Sequence, residues 1–164
     1  MNKLESLATA TGDWLLNHGW KLAAAESCTG GWISAAITTV AGSSAWFDRG
    51  FVTYSNEAKQ EMLGVTAATL EQHGAVSEAV VREMVAGTFR HSHADLALAV
   101  SGVAGPGGGS PAKPVGTVCF AWGRRGDEIV VETRLFPGDR EAVRRQTVEH
   151  ALTQLVVHIE GGPD

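Results

Sequence analysis

Between an apolar run (Leu22 to Ala25) and an amphipathic one (Trp32 to Val40), the chain places Glu26-Ser27-Cys28-Thr29-Gly30-Gly31, a carboxylate, three potential nucleophiles and two glycines in succession. This context predicts a strand, a tight turn and a helix. Such a turn lifts a short nucleophilic side chain to the end of a sheet, while the first free amide N–H groups of the helix point at whatever binds there. The stretch therefore suits an anion or an oxyanion, although a plain αβ loop uses the same small residues.

Three further polar clusters fall where elements should end. Tyr54-Ser55-Asn56-Glu57-Ala58-Lys59 sets a strand-end tyrosine five positions before a lysine in a first helical turn, so both can point into one cleft. Ser101 to Lys113 is glycine-dense, with Gly102, Gly105 and Gly107 leaving the backbone free to approach a ligand closely. It lacks the Gly-Lys-Ser/Thr end of a Walker A loop, and Ser110 stands where a dinucleotide fingerprint needs its third glycine. Pro137-Gly138-Asp139-Arg140, with Arg144 one turn on, puts two guanidinium forks on one helix face, a suitable clamp for phosphate or carboxylate.

The six histidines show no spacing that assembles them into a site. His91 and His93, two residues apart, do not form a helical metal face, so no metal ligand set is expected. Without a histidine beside Ser27, a Ser-His-Asp triad is a weak reading. A lysine is the remaining candidate base, provided that burial or neighbouring cations lower its pKa from about 10.4 towards neutrality.

The elements needed to position these clusters follow from periodicity. Leu4, Leu7, Ala8, Thr11, Leu15 and Leu16 predict a first helix closed by His18-Gly19, followed by a strand over 20–25. A second helix ends at Ala41-Gly42-Ser43-Ser44, a strand spans 46–54, and a short helix over 55–63 opens at Ser55 or Asn56 and stops at Gly64. Ser77 caps another helix. The apolar runs 96–100 and 115–122 read as buried central strands, 129–136 as a further strand, and 139–159 as the last helix. No linker or repeat divides the sequence, which predicts one α/β domain over 1–164, a three-layer α/β/α arrangement around a mixed sheet.

Composition agrees with an ordinary globular protein of one domain: 164 residues, 44% hydrophobic and 19% charged. A net charge of −5 with no basic run argues against binding nucleic acid through a broad face. No apolar stretch is long enough for a membrane span, and the amino terminus lacks a signal-peptide pattern, so a cytoplasmic location is expected. Cys28 and Cys119 are expected to be free thiols, Cys119 inert in a strand.

Six ordered segments carry a specific likeness: Ala25-Glu26-Ser27-Cys28-Thr29-Gly30-Gly31, Val52-Thr53-Tyr54-Ser55-Asn56-Glu57-Ala58-Lys59, His73-Gly74-Ala75-Val76-Ser77, Gly102-Val103-Ala104-Gly105-Pro106-Gly107-Gly108, Lys113-Pro114-Val115-Gly116-Thr117-Val118 and Gly138-Asp139-Arg140. Together they resemble the CinA C-terminal domain family, and most closely its stand-alone nicotinamide-nucleotide amidase members, from about residue 5 to 157. The resemblance implies hydrolysis of the carboxamide of nicotinamide mononucleotide to nicotinate mononucleotide and ammonia, a salvage step that needs no cofactor. Longer members carry an additional N-terminal domain for which this chain has no room, so that domain's activities are expected to be absent.

Under this reading Ser27 attacks the carboxamide carbon, with Lys59 and Tyr54 handling the proton and Thr29 as the rival nucleophile. Amides from Thr29 to Gly31 hold the oxyanion. Substrate contacts are expected from Thr29, Gly30, Gly31, Asn56, Gly102, Gly105, Gly107, Arg140 and Arg144. The expected partner is a small nucleotide, with no nucleic acid and no membrane, and the expected assembly is a homodimer. Two other readings stay open at this point: a nucleotide-sensing or protein-partner module without hydrolysis, and an amidase of another small substrate.

Overall fold

The computed structural model describes residues 2–160. Its elements are α1 (Lys3–His18), β1 (Leu22–Glu26), α2 (Trp32–Thr38), β2 (Phe47–Val52), α3 (Asn56–Leu63), α4 (Ala67–His73), α5 (Glu78–Arg90), β3 (Leu96–Gly102), β4 (Thr117–Arg124), β5 (Val130–Leu135) and α6 (Arg140–Glu160). The strands form one five-stranded sheet ordered β2-β1-β3-β4-β5. Strand β1 runs parallel to both β2 and β3, while β3, β4 and β5 pair antiparallel, so the sheet is mixed.

Period-2 alternation sorts side chains by size between the two faces. Leu22, Ala24, Leu96, Leu98, Val100, Val118, Phe120 and Trp122 meet α1, α2 and α6. On the other face Ala25, Ala97, Ala99, Cys119 and Ala121 meet α5, over which α3 and α4 pack. Alanines let α5 lie close to the sheet, whereas the opposite face needs large apolar groups to fill the wider space. Truncating a fully buried residue such as Leu98 is expected to cost about 2–5 kcal/mol.

Several element limits differ from the sequence reading, each for a local reason. Leu16 is 51% exposed, because the buried stripe of α1 runs through Leu4, Ala8, Thr11 and Leu15 and the next residue turns about 100° away. Trp46 precedes β2 instead of opening it. Its ring lies over α1 at Gly12, where a Cβ would sit 2.5 Å from the indole, so only glycine fits. Strand β4 begins at Thr117, two residues later than expected, since Pro114 offers no N–H and Gly116 turns the chain at φ 98°. Helix α4 has no signature in hydrophobic periodicity: it has seven residues, none buried, and rests on its Thr66 cap.

Candidate active site

Parallel pairing brings the chemistry-bearing turns together. Glu26, the last residue of β1, lies opposite Val52 of β2 and Val100 of β3. The residues that follow, Ser27 and Thr53 just beyond their strands and Ser101 still within β3, therefore stand side by side. The Ser27 N–H donates to Val100 O at 3.1 Å, and the Thr53 N–H to Glu26 O at 2.8 Å, extending the ladder into the turns. Because β1 connects to β2 on one side across α2 and pairs with β3 on the other, this is the point where strand order reverses, the usual position of a crevice in an open α/β sheet.

Helix α3 delivers the lysine. Its cap Ser55 accepts from the Ala58 N–H at 3.0 Å and Gly64 closes it in the left-handed conformation, which sets Lys59 on the inner side of the helix. Lys59 is 1% exposed. Its Nζ lies 2.9 Å from Ser27 Oγ, 2.9 Å from Thr53 O and 3.3 Å from Tyr54 O. Burial pulls its pKa below the ordinary 10.5, and the Cys28 thiol beside it is the only opposing influence. That opposition requires a thiolate, yet burial pushes Cys28 up to about 12, so at neutral pH the thiol is uncharged.

The two backbone carbonyls organise the amine. A neutral amine has two N–H groups and one lone pair. If Thr53 O and Tyr54 O take the N–H groups, the lone pair faces Ser27 Oγ, which is the geometry for removing its proton. Ser27 itself is buried but lines a cavity of about 250 Å³ together with Lys59, Tyr54, Asn56, Ser101, Gly102 and Arg140. Ser101, 1% exposed, is absent from the sequence-derived list. Its only signal was its place at the carboxyl end of β3, one strand from Ser27.

Other expected site residues take different places. The Thr29 side chain is fully buried and its hydroxyl donates to Glu26 Oε1 at 2.6 Å, away from the nucleophile's role. Glu26 also accepts from the Ile33 and Ser34 N–H groups and the Ser34 hydroxyl. The amino end of α2 is thus filled by an internal carboxylate, not left open to an anion as the sequence suggested. Gly30 and Gly31 adopt φ 58° and 104°, and the Gly30 N–H is spent on Ser27 O at 3.1 Å. Among the described residues, the amides of Cys28, Thr29 and Gly31 have no acceptor within the chain.

Tyr54 is 61% exposed, and its hydroxyl accepts from Arg140 Nη2 at 3.2 Å, with no bond to Lys59 or Ser27; only its carbonyl serves the lysine. Arg140 Nη1 donates to Gly105 O at 2.7 Å, tying the β3–β4 loop to the rim. Gly102 lines the cavity at a point where a Cβ would approach Val118 to 2.7 Å, whereas Gly107 lies on the exposed loop tip, outside the lining. Arg144 faces the back of the Ser27 turn, donating to Cys28 O at 3.1 Å and Thr29 O at 3.0 Å. Two histidines do converge, away from this cavity. His150 bonds Glu132, and His158 Nε2 lies 3.9 Å from the same carboxylate, because eight positions on α6 return to one face. Among the described residues no helix is long and apolar enough to cross a membrane.

A three-layer α/β/α fold with its polar cluster at the carboxyl ends of three neighbouring parallel strands defines the class. Within it, the chain belongs to the CinA C-terminal domain family, whose model matches residues 4–159. It is 53% identical over 154 residues to the nicotinamide-nucleotide amidohydrolase PncC of Escherichia coli K12, covering 94% of this chain and 93% of that protein. Identity to the Pseudomonas putida protein of the same name is 56% over 156 residues, 95% of this chain and 97% of the relative. The crystal structure of competence damage-inducible protein A from Klebsiella pneumoniae superposes with a TM-score of 0.94 at 43% identity, covering 99% and 100% of the two chains.

Proposed function

We propose that this protein is a nicotinamide-nucleotide amidohydrolase of pyridine-nucleotide salvage, converting nicotinamide mononucleotide and water to nicotinate mononucleotide and ammonia. The names of relatives more than half identical over nearly the whole chain support the reaction. The observation that carries the mechanism is the 2.9 Å contact between a buried lysine amine and the Ser27 hydroxyl.

Lys59 Nζ takes the Ser27 proton as Oγ bonds to the carboxamide carbon. When the tetrahedral intermediate collapses, the C–N bond breaks and the nitrogen leaves as ammonia, carrying the proton from Lys59. A water then loses a proton to Lys59 as it attacks the ester, and Oγ regains that proton on release of the carboxylate. Free amides of the Ser27 turn stabilise the oxyanion. Arg140 has five N–H donors and spends two on Gly105 O and Tyr54 Oη, leaving others at the cavity rim for the 5′-phosphate. Tyr54 acts by holding Arg140 and by lending its carbonyl to Lys59.

The test is ammonia release from nicotinamide mononucleotide by the purified protein, with Ser27→Ala as control. Wild-type turnover and an inactive but folded variant are expected. No release by the wild type overturns the reaction, and near-normal release by Ser27→Ala overturns the nucleophile.

A further inference from the structure

The sequence offers Arg140 and Arg144 as equivalent forks on one helix face, but the structure separates them. Arg144 reaches back 116 and 115 residues to Cys28 O and Thr29 O, with its carbon 5.4 Å above the Trp32 ring, and no carboxylate pairs with it among the described residues. A planar fork bonded to two successive carbonyls fixes two successive peptide planes. In a trans peptide the N–H points opposite to the C=O. With Cys28 O turned towards Arg144, the Thr29 N–H points away from the guanidinium, and with Thr29 O held likewise, the Gly30 N–H is free to close the turn on Ser27 O. That closure leaves the Thr29 amide with no acceptor among the described residues, one residue beyond the side chain that lines the cavity next to Ser27.

We infer that Arg144 is a positioning residue for the reaction: it orients the peptide planes of the nucleophile turn so that the Thr29 N–H is presented to the oxyanion formed on attack by Ser27. This rests on the amidohydrolase reading above. Arg144 touches no substrate atom in this arrangement. Its contribution appears in the transition state, when charge develops on the carbonyl oxygen, and not in the binding of the nucleotide.

The experiment measures kcat and KM of wild type, Arg144→Ala and Arg144→Lys on nicotinamide mononucleotide and nicotinamide riboside, with thermal unfolding of each and added guanidinium at millimolar concentration. Wild-type turnover of the nucleotide tests the reaction itself, separately from the role of Arg144. The expected result is a loss of kcat of roughly ten- to a hundred-fold in Arg144→Ala, a fraction of what removing an oxyanion donor outright costs, with KM nearly unchanged and the same proportion on both substrates. Guanidinium should restore part of kcat to Arg144→Ala, and Arg144→Lys should stay impaired because a point charge cannot hold two carbonyls. A loss expressed mainly in KM, and greater for the phosphorylated substrate, would make Arg144 a phosphate clamp. Full kcat in Arg144→Lys, or a kcat loss that guanidinium leaves untouched while the unfolding temperature falls, would also overturn the inference.

Discussion

Replacing Lys59 is the most direct probe of the chemistry, because every feature of its surroundings bears on one proton. Lys59 is 1% exposed, its amine bonds one hydroxyl and two carbonyls, and burial lowers its pKa from 10.5. If the neutral amine is the base, kcat/KM rises about tenfold per pH unit below that depressed pKa and levels off before the ordinary lysine value. Loss of a general base costs about 10²–10⁴ in rate, or about 2.7–5.5 kcal/mol. Lys59→Ala should fall in that range, and Lys59→Arg nearly as far, since a guanidinium stays protonated and is too bulky for a site closed by Thr53 and Tyr54. Folding linkage has the same direction. The folded state binds fewer protons than the unfolded one between the depressed value and 10.5, so the protonation cost at Lys59 is fully present at lower pH and is relieved as pH rises through that window. The assay is a pH series of ammonia release from about pH 5.5 to 10, with circular dichroism confirming the fold. A pH-independent rate, or a Lys59→Arg enzyme with more than a tenth of wild-type activity, would refute the base and leave Lys59 a fixed charge.

Arg140→Ala should lower kcat/KM for nicotinamide mononucleotide by roughly ten- to a hundred-fold, matching a lost charge-assisted bond of about 1.5–3 kcal/mol, and should matter much less for the riboside. An equal loss on both would assign Arg140 to loop support through Gly105. Cys28→Ala should be mild, and iodoacetamide at pH 8 should leave activity intact, because a buried thiol pushed to about 12 supplies almost no thiolate; rapid alkylation and inactivation would contradict this. Glu26→Gln puts an amide donor against the donors from Ile33, Ser34 and Thr29, and should cost about 2–4 kcal/mol, roughly 4–16 °C in unfolding temperature by scanning calorimetry. A change under 2 °C would show the carboxylate is not needed to seat α2.

Local signals in the sequence determined much of the framework. Ser55 and Gly64 bound α3 because a hydroxyl cap and a left-handed glycine act over one turn, and the apolar runs of β3 and β4 mark the central strands because both of their faces must be dry. The Ser27 turn was equally legible, since its glycines require positive φ whatever lies around them. Tertiary structure alone decided how each polar group was spent. Ser27 and Lys59 stand 32 residues apart, and the pairing of β1 with β2 and β3 is what closes their separation to 2.9 Å. Glu26, Thr29 and Ser27 are polar neighbours at one strand end, yet the fold turns the Glu26 carboxylate to the start of α2, where Thr29 joins it, and leaves the serine to the cavity. Arg140 and Arg144 differ by one helical turn, and only the packing of α6 against α2 and the sheet gives the first a cavity rim and the second the carbonyls behind the nucleophile. Periodicity reports which side of an element is buried; which partner waits there is set by contacts between segments far apart in the chain, and no local pattern encodes them.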